Sequence, residues 1–142
     1  MTLVDKSDRL ALAVPAVTAT TNPGAGVECS ITVPAGERWL IRSASVTPVF
    51  ATQTPWPAIV IDDGTNIYFK SLCGTIALNA GVSPQCSWFG GATLAGGAAD
   101  TTRQGALPED IIVPEGHRIR TVTAGIGANC DYGPMYLLVE KL

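Results

Sequence analysis

Four arginines stand in two pairs, Arg38 with Arg42 and Arg118 with Arg120. In extended chain, residues two or four apart share a face, so each pair would point one way. A guanidinium is permanently charged, and its planar fork takes a carboxylate through two hydrogen bonds. The chemistry on offer is therefore recognition of a carboxylate on another chain, set against the plain reading of a solvated sheet face. The tryptophans are the other candidates. Trp39 lies in a strand-like stretch and is expected in the core, whereas Trp56 sits between prolines and Trp88 beside Phe89 and Gly90. Trp56 and Trp88 read as anchors buried in the core or in a subunit contact, ahead of a lectin-like alternative in which they stack on a glycan.

Enzyme chemistry finds no comparable set. His117 is the one histidine, directly after Gly116 where a turn ends, and no serine lies in a G-x-S-x-G context. A general acid–base needs oriented partners, and none is fixed near His117 by motif. Asp62 and Asp63 precede Gly64 as hairpin turn residues do, without the D-x-D-x-D-G calcium pattern. Glu109, Asp110 and Glu115 read as solvated or interface charges. Cys29, Cys73, Cys86 and Cys130 are far apart with no C-x-x-C, which argues against a metal site. They admit three disulfide pairings, but free buried thiols in a cytosolically assembled protein are preferred. The chain thus reads as a non-enzyme without metal or cofactor.

The elements that must position these residues are strands. The chain has 142 residues, enough for one domain with its own core, and its 15 glycines and 10 prolines leave no room for a long helix. Two stretches repeat a pattern: Val33-Pro34-Ala35-Gly36-Glu37-Arg38 and Val113-Pro114-Glu115-Gly116-His117-Arg118. Proline presets the first corner of a turn and glycine supplies its left-handed residue, so each reads as strand, tight turn, antiparallel strand. Asp63-Gly64 marks a further hairpin between Ala58–Ile61 and Asn66–Cys73. Further strands are expected over 10–21, Thr75–Leu78, Cys86–Leu94, Leu107–Val113 and Tyr132–Lys141. A bulge or close backbone approach is expected at Gly90-Gly91, an edge or connection at 48–57, and a loop at 95–105. The sum is an all-β, antiparallel β-sandwich of about eight short strands, jelly-roll-like, over residues 26–142, with residues 1–25 as an N-terminal arm and first strand.

Composition narrows the partners. Charged residues make up only 15% of the chain, against 46% hydrophobic, with a net charge of −3. So sparse a charge suggests that part of the surface is covered by copies of the chain, as a homo-oligomer, or by a partner. No basic run or aromatic-basic platform suits nucleic acid. The apolar Leu10–Ala19 segment is interrupted by Pro15 and falls short of the ~20 residues a membrane span needs.

The VPAGERWLIRSASV corner, the Asp-Gly hairpin and the LPEDIIVPEGHRIR corner together resemble small virion proteins of tailed bacteriophages, over roughly residues 27–142. The resemblance implies a sandwich body that attaches to the major capsid protein or other virion proteins. The favoured form is a capsid decoration (cement) subunit on the capsid surface, made in the host cytoplasm. A head or tail appendage that binds a host receptor or glycan is the alternative, and the N-terminal arm would supply part of the attachment. Cupins share such corners, but their metal site needs several histidines.

Overall fold

The computed structural model describes residues 14–50, 57–74, 83–92 and 102–142. The arm over residues 1–9, Trp56, the expected strand Thr75–Leu78 and most of the 95–105 loop lie outside the described residues. Twelve strands and no helix organise the described residues. They are β1 (Val14–Ala19), β2 (Ser30–Thr32), β3 (Arg38–Val46), β4 (Pro48–Phe50), β5 (Pro57–Asp62), β6 (Ile67–Leu72), β7 (Gln85–Gly90), β8 (Thr102–Leu107), β9 (Ile112–Pro114), β10 (Arg118–Thr123), β11 (Cys130–Tyr132) and β12 (Tyr136–Lys141).

Side-chain alternation explains the layers. Along β12, Leu137 and Val139 are fully buried while Tyr136 and Leu138 are exposed, the period of two that a half-buried strand requires. One sheet runs β1-β12-β3-β7-β8 with β9 also on β3, the other β2-β10-β5-β6, and β4 pairs β11 in a separate ribbon. Ile41, Val46, Trp88 and Leu137 of the first sheet meet Ile59, Ile61 and Ile119 of the second in one core. The all-β sandwich is therefore as the sequence implied. The N-terminal strand β1 pairs antiparallel with the C-terminal β12. That pairing draws β1 into the sandwich body, although the sequence grouped it with the arm.

Among the described residues β1 is an edge strand, and its edge is blunted. Thr20 N–H donates to the Met135 carbonyl (2.9 Å), so even-numbered residues bond toward β12 and odd-numbered ones face outward. Pro15, which has no N–H, thus falls at an outward position, where it withholds a donor from any further strand.

The two Val-Pro corners differ from expectation in an informative way. Neither is a hairpin. β3 leaves the first corner and pairs with β9, the strand that enters the second: Arg38 lies opposite Pro114 and Trp39 opposite Val113. β10 leaves the second corner and pairs with β2, which enters the first: Arg118 lies opposite Thr32 and Ile119 opposite Ile31. Each corner carries the chain from one sheet to the other, and the two are laced by Val33 N to His117 O and Gly116 N to Val33 O, both 2.9 Å. Turn chemistry fixes a corner but not the partner of its flanks. The turns themselves are as expected, with Gly36 at φ 79° and Gly116 at φ 76°. A Cβ at either would meet nothing within 4 Å, so Gly36→Ala and Gly116→Ala should each cost only the left-handed penalty, about 1 kcal/mol. Urea unfolding checks this; a loss beyond ~3 kcal/mol would show that the corners bear more than backbone strain.

Three more expectations need correction. Residues 102–105 are not loop but the start of β8, and β8 runs parallel to β7 in an otherwise antiparallel sheet. Thr102, Gln104 and Gly105 gave no apolar alternation to reveal it. The expected strand Leu107–Val113 is broken at Pro108 by a turn at Glu109–Asp110. Gly90-Gly91 ends β7 instead of bulging it, with Gly91 at φ 75° in a turn, and the expected alternative, a close approach, holds at Gly90, where a Cβ would lie 3.6 Å from Glu109 Cα. Bulges occur elsewhere: the β3–β12 register jumps from Ser43 opposite Leu138 to Ile41 opposite Val139, leaving Arg42 as the extra residue, and the β5–β6 register jumps from Ile61 opposite Phe69 to Asp62 opposite Ile67, leaving Tyr68 as the extra one.

Candidate functional site

Alternation on β10 buries Ile119, Thr121 and Thr123 and turns Arg118, Arg120 and Val122 outward. The register then sets Arg118 opposite Asp62 and Arg120 opposite Val60 on β5, with Lys70 of β6 on the far side of Val60. Asp62 is only 2% exposed. Its Oδ1 takes Arg118 Nη2 at 2.6 Å and Arg118 Nε at 2.7 Å, and its Oδ2 takes Arg120 Nε at 2.5 Å. Burial opposes its ionisation, but hydrogen bonds from Arg120 and Arg118, and from Gly64 N–H, prevail and hold its pKa below the ordinary carboxylate value. Both guanidiniums remain partly open to solvent, at 38% and 27% side-chain exposure. One carboxylate thus fixes two cations on a single sheet face.

The neighbouring Asp63 works inside the hairpin. Its carboxylate accepts Asn66 N–H (2.7 Å), Thr65 N–H (2.8 Å) and the Tyr68 hydroxyl (2.5 Å). The Asn66 backbone hydrogen bond, followed by that of Tyr68, pushes its pKa well below the usual carboxylate range. The turn reading of the Asp pair therefore accounts for Asp63. Asp62 has a second role that the turn motif did not reveal, as counter-ion to both arginines of β10. The Tyr68 ring is exposed and lies 5.3 Å from that of His117, tilted by 42°. His117 Nδ1 sits 3.2 Å from the Glu115 carbonyl oxygen, a contact within its own turn.

The remaining candidates separate. Arg42 forms a two-pronged pair with Glu140, Nε to Oε1 at 2.7 Å and Nη2 to Oε2 at 3.1 Å. With Arg118 and Arg120 on Asp62, three of the four arginines hold a carboxylate within this chain. Arg38 is exposed and makes no ion pair with a described residue. Trp39 is core, as expected, its Nε1 donating to Glu37 (2.5 Å) while Lys141 Nζ lies 5.9 Å from its ring centroid. Trp88 is fully buried and donates Nε1–H to the Ser71 carbonyl (3.1 Å). It is no surface anchor, because β8 covers the indole and Gly105 packs against it.

All four cysteines are free and buried, in line with the preferred reading. Burial raises the Cys29 pKa. Hydrogen bonding with Cys73, then burial, pushes Cys86 far above the ordinary thiol value, although the charge of Arg103 acts the other way. At neutral pH Cys29 and Cys86 are held as thiols, so neither offers a thiolate nucleophile. Among the described residues no group of three or more His, Cys, Asp or Glu could hold a metal ion, and no helix is long and apolar enough to cross a membrane.

The opposite outer face, on the six-stranded sheet, was missed by the sequence reading. Val17 is 72% exposed and lies directly opposite Leu138, 40% exposed, while Ala19 lies opposite Tyr136. Ser43 and Ser45 of β3 continue the face beside Leu138 and Tyr136, and the Arg42–Glu140 pair neutralises itself at its margin. The signal available was the alternation Pro15, Val17, Ala19, weak because Ala and Thr fill the intervening positions. Fold and surface together define an all-β sandwich with one apolar, hydroxyl-bearing face and one cationic face. No protein family model, curated protein or solved structure matches the chain.

Proposed function

We propose that the chain is a non-enzymatic attachment module of a virion, a decoration subunit that docks on coat proteins and stabilises the shell. The observation that carries this is the apolar outer face of the six-stranded sheet. Val17, Leu138 and Tyr136 stand exposed side by side, and among the described residues the Arg42–Glu140 charges at their margin cancel. Burying such a surface is favourable by about 25 cal/mol per Å² of apolar area, and a subunit that binds only the intact shell raises the shell's stability by mass action. The phage resemblance of the corner motifs supplies the class of partner.

The experiment is to mix purified protein with undecorated shells, then measure co-sedimentation and the melting temperature of the shells. Wild type should pellet with the shells and raise their melting temperature. Val17→Lys and Leu138→Lys, each placing an unpaired charge on an exposed apolar position, should abolish both effects while leaving the free protein's unfolding within about 0.5 kcal/mol. Failure of wild type to pellet, or full binding by both variants, would overturn the proposal.

A further inference from the structure

One chain carries two braced surfaces of opposite charge. The first is cationic. Arg120 and Lys70 flank Val60 on the outer face of the four-stranded sheet, roughly 10 Å apart at two strand spacings. Asp62 needs one positive charge and receives two, and Lys70 is exposed with no ion pair to a described residue. The face therefore holds excess positive charge in a chain whose net charge is −3.

The second surface is the turn between β8 and β9. Glu109 and Asp110 are exposed there and make no ion pair with a described residue. The turn is held in place. Arg42, already bound to Glu140, approaches the Glu109 carbonyl with Nη1 at 3.4 Å, and Gly90 leaves room for the Glu109 stem, whose Cγ would lie 3.2 Å from any Cβ there. Both surfaces are thus set by buried or paired neighbours before anything binds, which lowers the ordering cost of association.

We propose that the two surfaces meet between copies: the Glu109–Asp110 turn of one copy seats against Arg120 and Lys70 of the next. Within one chain they belong to different sheets and form no ion pair. The contact is heterologous, because each copy gives a different surface to each neighbour, and it generates a ring if the rotation closes. Charge complementarity sets the orientation and the salt dependence. The contact uses neither Val17 nor Leu138, so it stands or falls separately from shell docking.

Light scattering on a sizing column at low salt tests this. Wild type should run as a multiple of the chain mass and fall to a single chain when salt shortens the Debye length to about 3 Å. Lys70→Glu and Asp110→Lys should each give single chains, and Arg120→Gln should weaken association about tenfold. The double variant K70E/D110K should reassemble, since its surfaces are complementary again. An equimolar mixture of the two single variants should also assemble, in alternating copies, because the two altered surfaces complement each other just as the two native ones do. Circular dichroism identical to wild type, and the recovery of the double variant, exclude misfolding as the cause. A single-chain mass for wild type at low salt, assembly indifferent to both single charge swaps, or a double variant that stays dissociated would each overturn the proposal.

Discussion

Asp62→Asn should lower the stability of the free protein by about 2–3 kcal/mol, read as a shift in the urea midpoint. Removing one member of a buried ion pair costs about 3–5 kcal/mol because it strands the other charge. Here the stranded groups are two guanidiniums at 38% and 27% side-chain exposure, free to turn toward water, so the lower figure applies. Asparagine keeps the acceptor for Gly64 N–H, which confines the loss to charge. The pH dependence follows from the same group. The folded-state pKa of Asp62 is depressed, so its stabilisation is fully present above the unfolded value of about 4 and is lost as pH falls through the folded one. The variant should therefore lose less stability than wild type on acidification, and the two curves should converge once pH has fallen through the depressed folded-state value. Superimposable curves at all pH values, with a difference under ~0.5 kcal/mol, would show that water screens the cluster completely.

Gly105→Ala should be more damaging. Gly105 lies in register with Trp88 across the parallel β7–β8 pair, and a Cβ there would overlap both the Trp88 indole and the Leu72 carbonyl oxygen. Overpacking costs typically about 1–3 kcal/mol when neighbours can move. These cannot: one is backbone, and the other is a fully buried indole tied to Ser71. A loss of about 3 kcal/mol or more is expected, with red-shifted tryptophan fluorescence as β8 lifts away. Gly127→Ala, where a Cβ meets nothing within 4 Å, should change stability by less than ~1 kcal/mol. Equal effects at the two positions would refute the packing argument.

These two positions also mark where the sequence could and could not be read. The Asp-Gly hairpin, the glycine-closed corners and the alternation of β12 are local, set by turn conformation and a period of two, and all were legible. The pairing of the corners was not. A Val-Pro-x-Gly turn specifies its own backbone, while the choice of β9 for β3 and of β2 for β10 depends on burial on both sides of a sandwich. β8 was invisible because its centre is a glycine chosen to fit beneath Trp88, so its signal is a missing side chain. At the cationic face, the outward direction of Arg118 and Arg120 was legible from their spacing. Their partner was not, because Asp62 lies 56 residues from Arg118 and its turn motif explained it too well.

The laced corners have a consequence for how the molecule comes to exist. A segment ending before residue 112 contains β2 and β3 but neither of the strands that hold them at the corners. On a ribosome the first corner must wait, solvated and unpaired, until the second emerges some eighty residues later. Such distant closure makes maturation slow and late, and it leaves incomplete chains with open strand edges that invite aggregation.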